Sequence, residues 1–317
     1  MTSETTSRFQ SFTRKCSLIF STGLIFWLVS EGLFYGLMRP TDSALGYAIT
    51  GAIYCYSAWL FLIVVSHFNV RNLPALFIAG GFFGWMVEGV LVNTMYGVPD
   101  TPFPYSIPVT GLSWHALLTV MVGLYATRRA LKTTASTFRL AAFIGVFWGL
   151  WASTWRTADP TIQVNPESFF SYSFTLIFLF VTGHLIWQKN ARIPLSFNKW
   201  EVRAACCITL LWFGAVTVIQ RPMAVLILPP LLALMYFALR KNKEREKTGN
   251  LLTELADEIP VTRYLAFFIV PLIASGIYEN TVGIPNFEYF LVGVIVGTGI
   301  IGTIAFIVCL TKLHKME

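Results

Sequence analysis

The sequence predicts an all-α integral membrane protein, a polytopic bundle of about ten transmembrane helices with both termini in the cytoplasm. Hydrophobic residues make up 55% of the 317 residues and charged residues only 12%, with a mean hydropathy of +0.64. A soluble domain of this size needs a charged and polar shell that such a composition does not supply. Two further observations lead to the same fold class: a series of long apolar segments and a one-sided distribution of basic residues.

The apolar segments are long enough to cross a bilayer as helices. A hydrocarbon core about 30 Å thick requires roughly 20 residues of helix. Segments of this length lie near residues 17–38, 45–66, 74–93, 112–131, 138–155, 168–187, 202–219, 222–239, 262–280 and 288–311. Many of the 10 tryptophans fall near the ends of these segments, where an amphipathic ring suits the headgroup region.

The first apolar segment follows three basic residues, Arg8, Arg14 and Lys15, as the core of a secretory signal peptide would. It contains no small-x-small cleavage site and continues to about Met38. We therefore expect a signal anchor that stays in the protein, with the preceding residues in the cytoplasm.

Basic residues fall almost entirely on one side of the membrane once the N-terminus is placed in the cytoplasm. All of the 23 lysines and arginines lie on that side except Arg39, Arg156 and Arg221. Because basic residues are retained in the cytoplasm during insertion, this asymmetry supports the helix count and orients the chain with both termini inside. The expected location is a plasma membrane of bacterial type.

One charged stretch interrupts the apolar pattern. Residues 240–260 (RKNKEREKTGNLLTELADEIP) are predicted to be a cytoplasmic linker between an eight-helix body, residues 1–239, and a two-helix hairpin, residues 261–317. Within the linker, apolar residues at near-helical spacing indicate a short surface helix. These residues are Leu251, Leu252, Leu255 and Ile259. The alternative is that they form a docking site for a partner.

Four ionisable residues lie in or beside the predicted spans, all in the half of the membrane away from the cytoplasm: Glu31, Glu88, His115 and Glu279. A charged group in the hydrocarbon region costs about 2.5 to 3.5 kcal/mol on insertion scales, so such groups face the bundle interior or a watery cavity. We therefore expect the four to converge in one pocket. Glu31, Glu88 and His115 are the candidate catalytic residues.

The connection between Glu88 and His115 is unusual in composition. Residues 93–111 (NTMYGVPDTPFPYSIPVTG) carry four prolines and three aromatic residues. A segment this stiff and apolar is predicted to fold back as a lid or a partly re-entrant cap, which would bring Glu88 near His115. The candidate substrate-binding residues around this pocket are Tyr35, Asn93, Tyr96, Tyr105, Trp114, Arg156 and Glu279.

Several residues of this region form a recognisable series: Glu88, Thr94, Gly97, Tyr105, Ile107, Pro108 and Trp114. With them, residues 84–122 resemble the E…TG…FG…Y…IP…W pattern of a polytopic carotenoid-biosynthesis family that includes carotenoid hydratases. The tandem F-G-x-Y-x-Y motif of that family is absent. The resemblance implies an enzyme that acts on a long isoprenoid within the membrane, with Glu88 as the acid that protonates a double bond.

Other kinds of chemistry lack their sequence patterns. The chain contains no glycine-rich phosphate loop, no G-x-S-x-G, no H-E-x-x-H and no lysine within a predicted span. The remaining histidines, His67, His184 and His314, map to the cytoplasmic side, so no metal site with His115 is predicted. Neither a cofactor nor nucleic-acid binding is expected, and the five cysteines include no C-x-x-C pair.

Two functions from different classes fit these features. In the first, the pocket binds a hydrophobic substrate and performs acid–base chemistry on it, with membrane lipids and that substrate as the ligands. In the second, the carboxylates are the protonation sites of a proton-coupled transporter. A non-catalytic membrane subunit of a larger complex is a third possibility.

Overall fold

The structure is a computed structural model that describes residues 3–33, 42–99, 101–154, 164–193, 195–245, 251–284 and 286–315. Over these ranges the chain is helical, with one isolated β-bridge between Val98 and Thr101 and no strand. Tyr35 and Arg156, two of the candidate substrate-binding residues, lie outside the described residues.

Ten helices in the described ranges are long and apolar enough to cross a membrane. In chain order they are α1 (Ser3–Trp27, continued by a π-helix over Leu28–Leu33), α2 (Ala44–His67), α3 (Leu73–Met86, continued by a π-helix over Val87–Leu91), α4 (a π-helix over Pro108–Ala126, then Thr127–Ala130), α5 (Thr134–Ser153), α6 (Pro166–Ala191), α7 (Lys199–Trp212, a π-helix over Phe213–Thr217, then Val218–Gln220), α8 (Ala224–Arg245), α9 (Val261–Tyr264, a 3-10 turn over Leu265–Phe268, then Ile269–Thr281) and α10 (Glu288–Lys315). The all-α class and the number of candidate spans are as predicted, and ten such helices indicate an integral membrane protein.

Polar side chains fix where half of these helices begin. Ser43, Asn72, Thr133, Asn165 and Asn198 precede α2, α3, α5, α6 and α7, and each accepts a hydrogen bond from the backbone N–H three residues further on. Such caps satisfy backbone donors that have no partner inside the helix. The starts of these five helices are therefore well defined.

The helix α3 lies at the centre of the bundle and is the most deeply buried of the ten. It packs against α2, α4, α8 and α10, while α1 packs against α2, α4 and α6. The helix α9 packs on α5 and α6, whereas α10 packs on α3, α4 and α8. The helices α9 and α10 thus pack against different helices of residues 1–239.

The two ends of the bundle differ in character. We call the end that carries residues 92–107 the loop face, and the end that carries residues 68–72, 131–133 and 251–260 the basic face. At the basic face, a one-turn helix at Leu251–Leu255 packs its apolar side chains into this chain's own core. Leu252 and Leu255 are buried, and the Leu251 N–H donates to the Val70 carbonyl at 2.8 Å. The described second half of the linker, residues 251–260, thus packs against the body.

Candidate functional site

A histidine and a carboxylate are hydrogen-bonded to each other inside the bundle near the loop face. Nε2 of His115 on α4 lies 2.7 Å from Oε1 of Glu88 on α3. The His115 side chain is 1% exposed and the Glu88 side chain 16%. The second carboxylate oxygen of Glu88 accepts a hydrogen bond from the Thr94 hydroxyl. Both oxygens of this largely buried carboxyl group therefore have hydrogen-bond partners.

The other ring nitrogen of His115 is also held. Nδ1 lies 3.2 Å from the hydroxyl oxygen of Ser30 on α1, and that oxygen lies 2.7 Å from the hydroxyl oxygen of Thr119 on α4. Ser30, His115 and Thr119 are all buried. A histidine with both nitrogens hydrogen-bonded has a fixed ring plane, so the direction of any proton transfer through it is fixed as well.

A second carboxylate lies beside this group. Oε1 of Glu31 accepts a 2.9 Å hydrogen bond from the hydroxyl of Tyr54, which reaches it from α2. The Tyr54 ring also lies beside the imidazole of His115, with 6.3 Å between ring centroids. We call Ser30, Glu31, Tyr54, Glu88, His115 and Thr119 the polar cluster; four helices, α1 to α4, contribute to it. The candidate catalytic residues Glu31, Glu88 and His115 all belong to it.

Irregular helix geometry coincides with the polar cluster. Ser30 and Glu31 lie in the π-helical end of α1, Glu88 in that of α3, and His115 in the π-helical part of α4. A π-helix is rare and recurs at functional sites because its wider turn leaves backbone groups displaced from the regular ladder. Three of the four π-helical segments in the described ranges thus carry members of the polar cluster, and the fourth lies in α7.

The proline-rich loop is a packed cap on this end of the bundle. It turns at Asn93, whose left-handed φ of 67° is one that asparagine tolerates better than most residues. The Tyr96 hydroxyl donates to the Gly89 carbonyl at 2.7 Å, and the Tyr105 hydroxyl donates to the Ile295 carbonyl of α10 at 2.9 Å. Burial raises the pKa of both tyrosines, so both remain protonated donors near neutral pH.

Asn93 links the cap to another helix. Its Nδ2 donates to Oε1 of Gln220, at the end of α7, with a distance of 2.9 Å. Its Oδ1 is buried and has no hydrogen-bond partner among the described residues. The cap is therefore attached to α3, α7 and α10 by hydrogen bonds, which explains how it holds Thr94 against Glu88.

Two candidate substrate-binding residues lie away from the polar cluster. Glu279 is exposed on α9, a helix whose packing partners are α5 and α6, so the structure does not bring it into the pocket with Glu88. The Trp114 ring is directed toward α5, where it packs edge-to-face on Trp151 at 5.8 Å between centroids. The expected convergence thus holds for three of the four ionisable residues, and Glu279 is the exception.

An apolar cavity of about 170 Å³ adjoins the other side of the same helices. Leu28 and Val29 of α1 and Leu118 of α4 line it, together with apolar side chains of α5 and α6. Phe143 also belongs to its lining and is 61% exposed on the outer surface of the bundle. The cavity therefore opens sideways, toward the surface that lipid would cover.

The cavity and the polar cluster share their walls. Val29 is next to Ser30 in the sequence, and Leu118 is next to Thr119. Each of the two helical segments thus presents apolar side chains to the cavity and polar side chains to the cluster. The cavity and the polar cluster thus share helices α1 and α4, although no member of the polar cluster lines the cavity.

Three members of the polar cluster are not foreseen by the sequence analysis: Ser30, Tyr54 and Thr119. Thr119 stands four residues after His115, on the same helical face, and that spacing is a usable signal. Ser30 directly precedes Glu31. Tyr54 carries no signal beyond being a polar aromatic residue in an apolar helix.

Among the residues that the structure describes, no group of three or more His, Cys, Asp or Glu side chains is arranged to hold a metal ion. No protein-family model, no curated protein and no solved structure matches the chain. The resemblance of residues 84–122 to the carotenoid-biosynthesis family therefore remains a prediction.

Proposed function

We propose that this chain is a membrane enzyme that performs acid–base chemistry on a hydrophobic, isoprenoid-like or lipid-like substrate, with Glu88 and His115 as the acid–base pair. The observation that carries the proposal is the 2.7 Å contact between these two side chains, in a polar cluster whose helices α1 and α4 also line a laterally open apolar cavity. A buried acid beside a histidine can donate a proton and take one back without help from bulk water. An apolar cavity open to the bilayer suits a substrate that never leaves the membrane.

The chemistry that fits is protonation of a carbon–carbon double bond. Transfer of the proton from the pair would leave the pair with one negative charge and the substrate with a carbocation, which the carboxylate would stabilise. The step requires the double bond to reach the pair past the side chains that separate the cavity from the polar cluster. Loss of a neighbouring proton back to the pair would give an isomer. Addition of water, with its spare proton returned to the pair, would give an alcohol.

The proposal includes an orientation of the bundle in the membrane. We place the basic face in the cytoplasm and the loop face on the outside of a bacterial-type plasma membrane, because the basic residues of the connecting segments lie at the basic face. The site then lies in the outer half of the membrane, covered by the proline-rich cap.

Deuterium incorporation tests the reaction without knowledge of the substrate. The purified protein would be incubated in D₂O with lipid nanodiscs made from the membrane lipids of its host, and the lipids then examined by mass spectrometry. Protonation at carbon followed by loss of a different proton, or by addition of water, leaves deuterium on carbon, where it does not wash out. We expect a labelled species with the wild type and none with Glu88→Gln or His115→Asn.

Glu279→Gln is the matched control, because it removes a carboxylate that is exposed and lies outside the polar cluster. It should label lipid as the wild type does. Absence of labelling by the wild type, or labelling by Glu88→Gln at the wild-type rate, would contradict the proposal.

A proton-coupled transporter is the second candidate, and one observation favours it. Glu31 with Tyr54, and Glu88 with His115 and Ser30, form two adjoining hydrogen-bonded groups through which a proton could move. Proteoliposomes containing a pH-sensitive dye distinguish the two functions. Solute-dependent proton flux that Glu31→Gln abolishes would support the transporter and count against the enzyme.

A further inference from the structure

The hydrogen bonds beyond His115 run in one direction and end at a group that can only accept. The Thr119 hydroxyl donates to the Trp114 carbonyl at 3.0 Å. A hydroxyl has a single proton, so Thr119 cannot also donate to Ser30. The 2.7 Å contact between Thr119 and Ser30 is then a hydrogen bond only if Ser30 donates and Thr119 accepts.

The donor and acceptor roles of the Ser30 hydroxyl also fix those of the His115 imidazole. Because the single proton of Ser30 is directed to Thr119, the 3.2 Å contact between Ser30 and Nδ1 of His115 requires Nδ1 to carry a proton and donate it. The tautomer of His115 is thus set by two hydroxyl groups and a backbone carbonyl, none of which ionises at neutral pH.

We infer that Ser30 and Thr119 are positioning residues that hold one proton on Nδ1 of His115, so that the contact between His115 and Glu88 contains one further proton, the mobile one. The pair then exists as imidazolium with carboxylate or as imidazole with carboxylic acid. Its net charge is zero in both forms, and a neutral pair is the form that a hydrocarbon environment tolerates best.

The opposite arrangement would give a different acid. If Ser30 donated to Nδ1, a proton on Nε2 would be the only one on the ring, Glu88 would be a carboxylate, and the pair would carry a negative charge and no proton to deliver. The direction in which the hydroxyl groups of Ser30 and Thr119 donate therefore decides whether the Glu88–His115 pair holds a proton that it can deliver. This catalytic consequence rests on the proposed function, whereas the tautomer itself does not.

Within the described part of the chain, the ionisable groups that face His115 are Glu88 from α3, and Tyr54 and Glu31 from α2 and α1. The Tyr54 hydroxyl is also a hydrogen-bond neighbour of Ser30. Thr94 donates to the Glu88 oxygen that is not in contact with His115, and it can do so whether the mobile proton is on Glu88 or on His115.

The ¹⁵N NMR shifts of the His115 imidazole show directly which ring nitrogen carries a proton. The chain has four histidines, so protein labelled with ¹⁵N-histidine gives few signals, and those missing from His115→Asn are the ones of His115. In the wild type at neutral pH we expect the protonated, pyrrole-type shift for Nδ1. A pyridine-type shift for Nδ1 in the wild type would overturn the inference.

Thr119 provides the sharpest test because three side chains of similar size can be compared there. In Thr119→Val the acceptor is lost, Ser30 turns its proton to His115, and Nδ1 should become unprotonated. Thr119→Ser restores the hydroxyl and should restore the protonated Nδ1. Thr22→Val is the matched control, since Thr22 is buried on α1 and its hydroxyl donates only to the Leu18 carbonyl of its own helix.

The NMR result and the activity result separate the two proposals. If the tautomer changes as expected, Thr119→Val should also abolish deuterium incorporation, because the pair then has no proton to deliver, and Thr119→Ser should recover it. If Thr119→Val changes the tautomer of His115 but not deuterium incorporation, the proposed function is wrong and the tautomer assignment still holds. An unaltered tautomer in Thr119→Val would overturn the role of Thr119.

Discussion

Gly84 of α3 and Gly111 of α4 face each other, each four residues before a member of the Glu88–His115 pair. A Cβ atom on Gly84 would lie 2.8 Å from Cβ of His115 and would also meet the Gly111 carbonyl. A Cβ atom on Gly111 would collide with the indole of Trp85. The two helices thus approach as closely as their backbones allow, as small residues permit between membrane helices. This approach brings the carboxylate within hydrogen-bond distance of the imidazole.

Gly84→Ala should therefore separate α3 from α4. Alanine favours helix by about 1 kcal/mol over glycine, but overpacking against backbone that cannot move typically costs about 1–3 kcal/mol. We expect net destabilisation, seen as a lower unfolding temperature in detergent, together with loss of the Glu88–His115 hydrogen bond. The bond is monitored through the ¹⁵N shift of Nε2.

Gly276→Ala is the control for this substitution. A Cβ atom there meets nothing within 4 Å, so only the helix propensity of alanine acts and α9 should be unchanged or slightly stabilised. An unfolding temperature of Gly84→Ala equal to that of Gly276→Ala would show that the close approach of α3 and α4 contributes nothing.

The sequence predicts the pair of Glu88 and His115 because one stiff loop joins them, a constraint that is local along the chain. Its prediction for Glu279 fails because α9 packs against α5 and α6, and nothing in an apolar helix sequence specifies which neighbours it takes. Ser30 could not be placed, since it reaches His115 across 85 residues of separation and only the rotation of α1 decides it. Hydropathy thus predicts which segments form helices. The rotation of each helix about its axis depends instead on close contacts at glycine residues and on π-helical turns.

Arg128 fastens the linker to the basic face. It is fully buried, and its guanidinium donates to the carbonyls of Leu255 and Asp257 and to the side chains of Gln188 and Tyr264. Arg128→Leu would leave these acceptors without a donor, at about 1–3 kcal/mol for each one that water cannot reach. We expect a clearly lower unfolding temperature and faster amide hydrogen exchange in residues 251–259.

Arg128→Lys should recover only part of this stability, because an ammonium group cannot reach acceptors on several sides as a planar guanidinium does. Arg139→Leu is the control, since Arg139 is exposed on α5 and donates to the carbonyl of Ala135 in its own helix. Wild-type exchange rates for residues 251–259 in Arg128→Leu would contradict the role assigned to Arg128.

Filling the apolar cavity should block the substrate without disturbing the polar cluster. Val122→Trp places an indole into the space that Val122 lines. The expected result is loss of deuterium incorporation and of co-purified lipid in mass spectrometry, with the His115 ¹⁵N shifts unchanged. Val146→Trp is the matched control, because Val146 is exposed on the outer surface of α5 and does not line the cavity. Activity retained in Val122→Trp would place the substrate elsewhere.

The orientation of the bundle can be tested with two threonines at its opposite ends. Thr101 belongs to the cap at the loop face, and Thr134 begins α5 at the basic face. In a chain whose five cysteines are replaced by alanine, each threonine is changed to cysteine and treated in intact cells with a maleimide that cannot cross the membrane. Since basic residues are retained in the cytoplasm during insertion, Thr101→Cys should react at once and Thr134→Cys only after the cells are permeabilised. The reverse pattern would place the polar cluster in the cytoplasmic half of the membrane, and the substrate would then have to be a lipid of the inner leaflet.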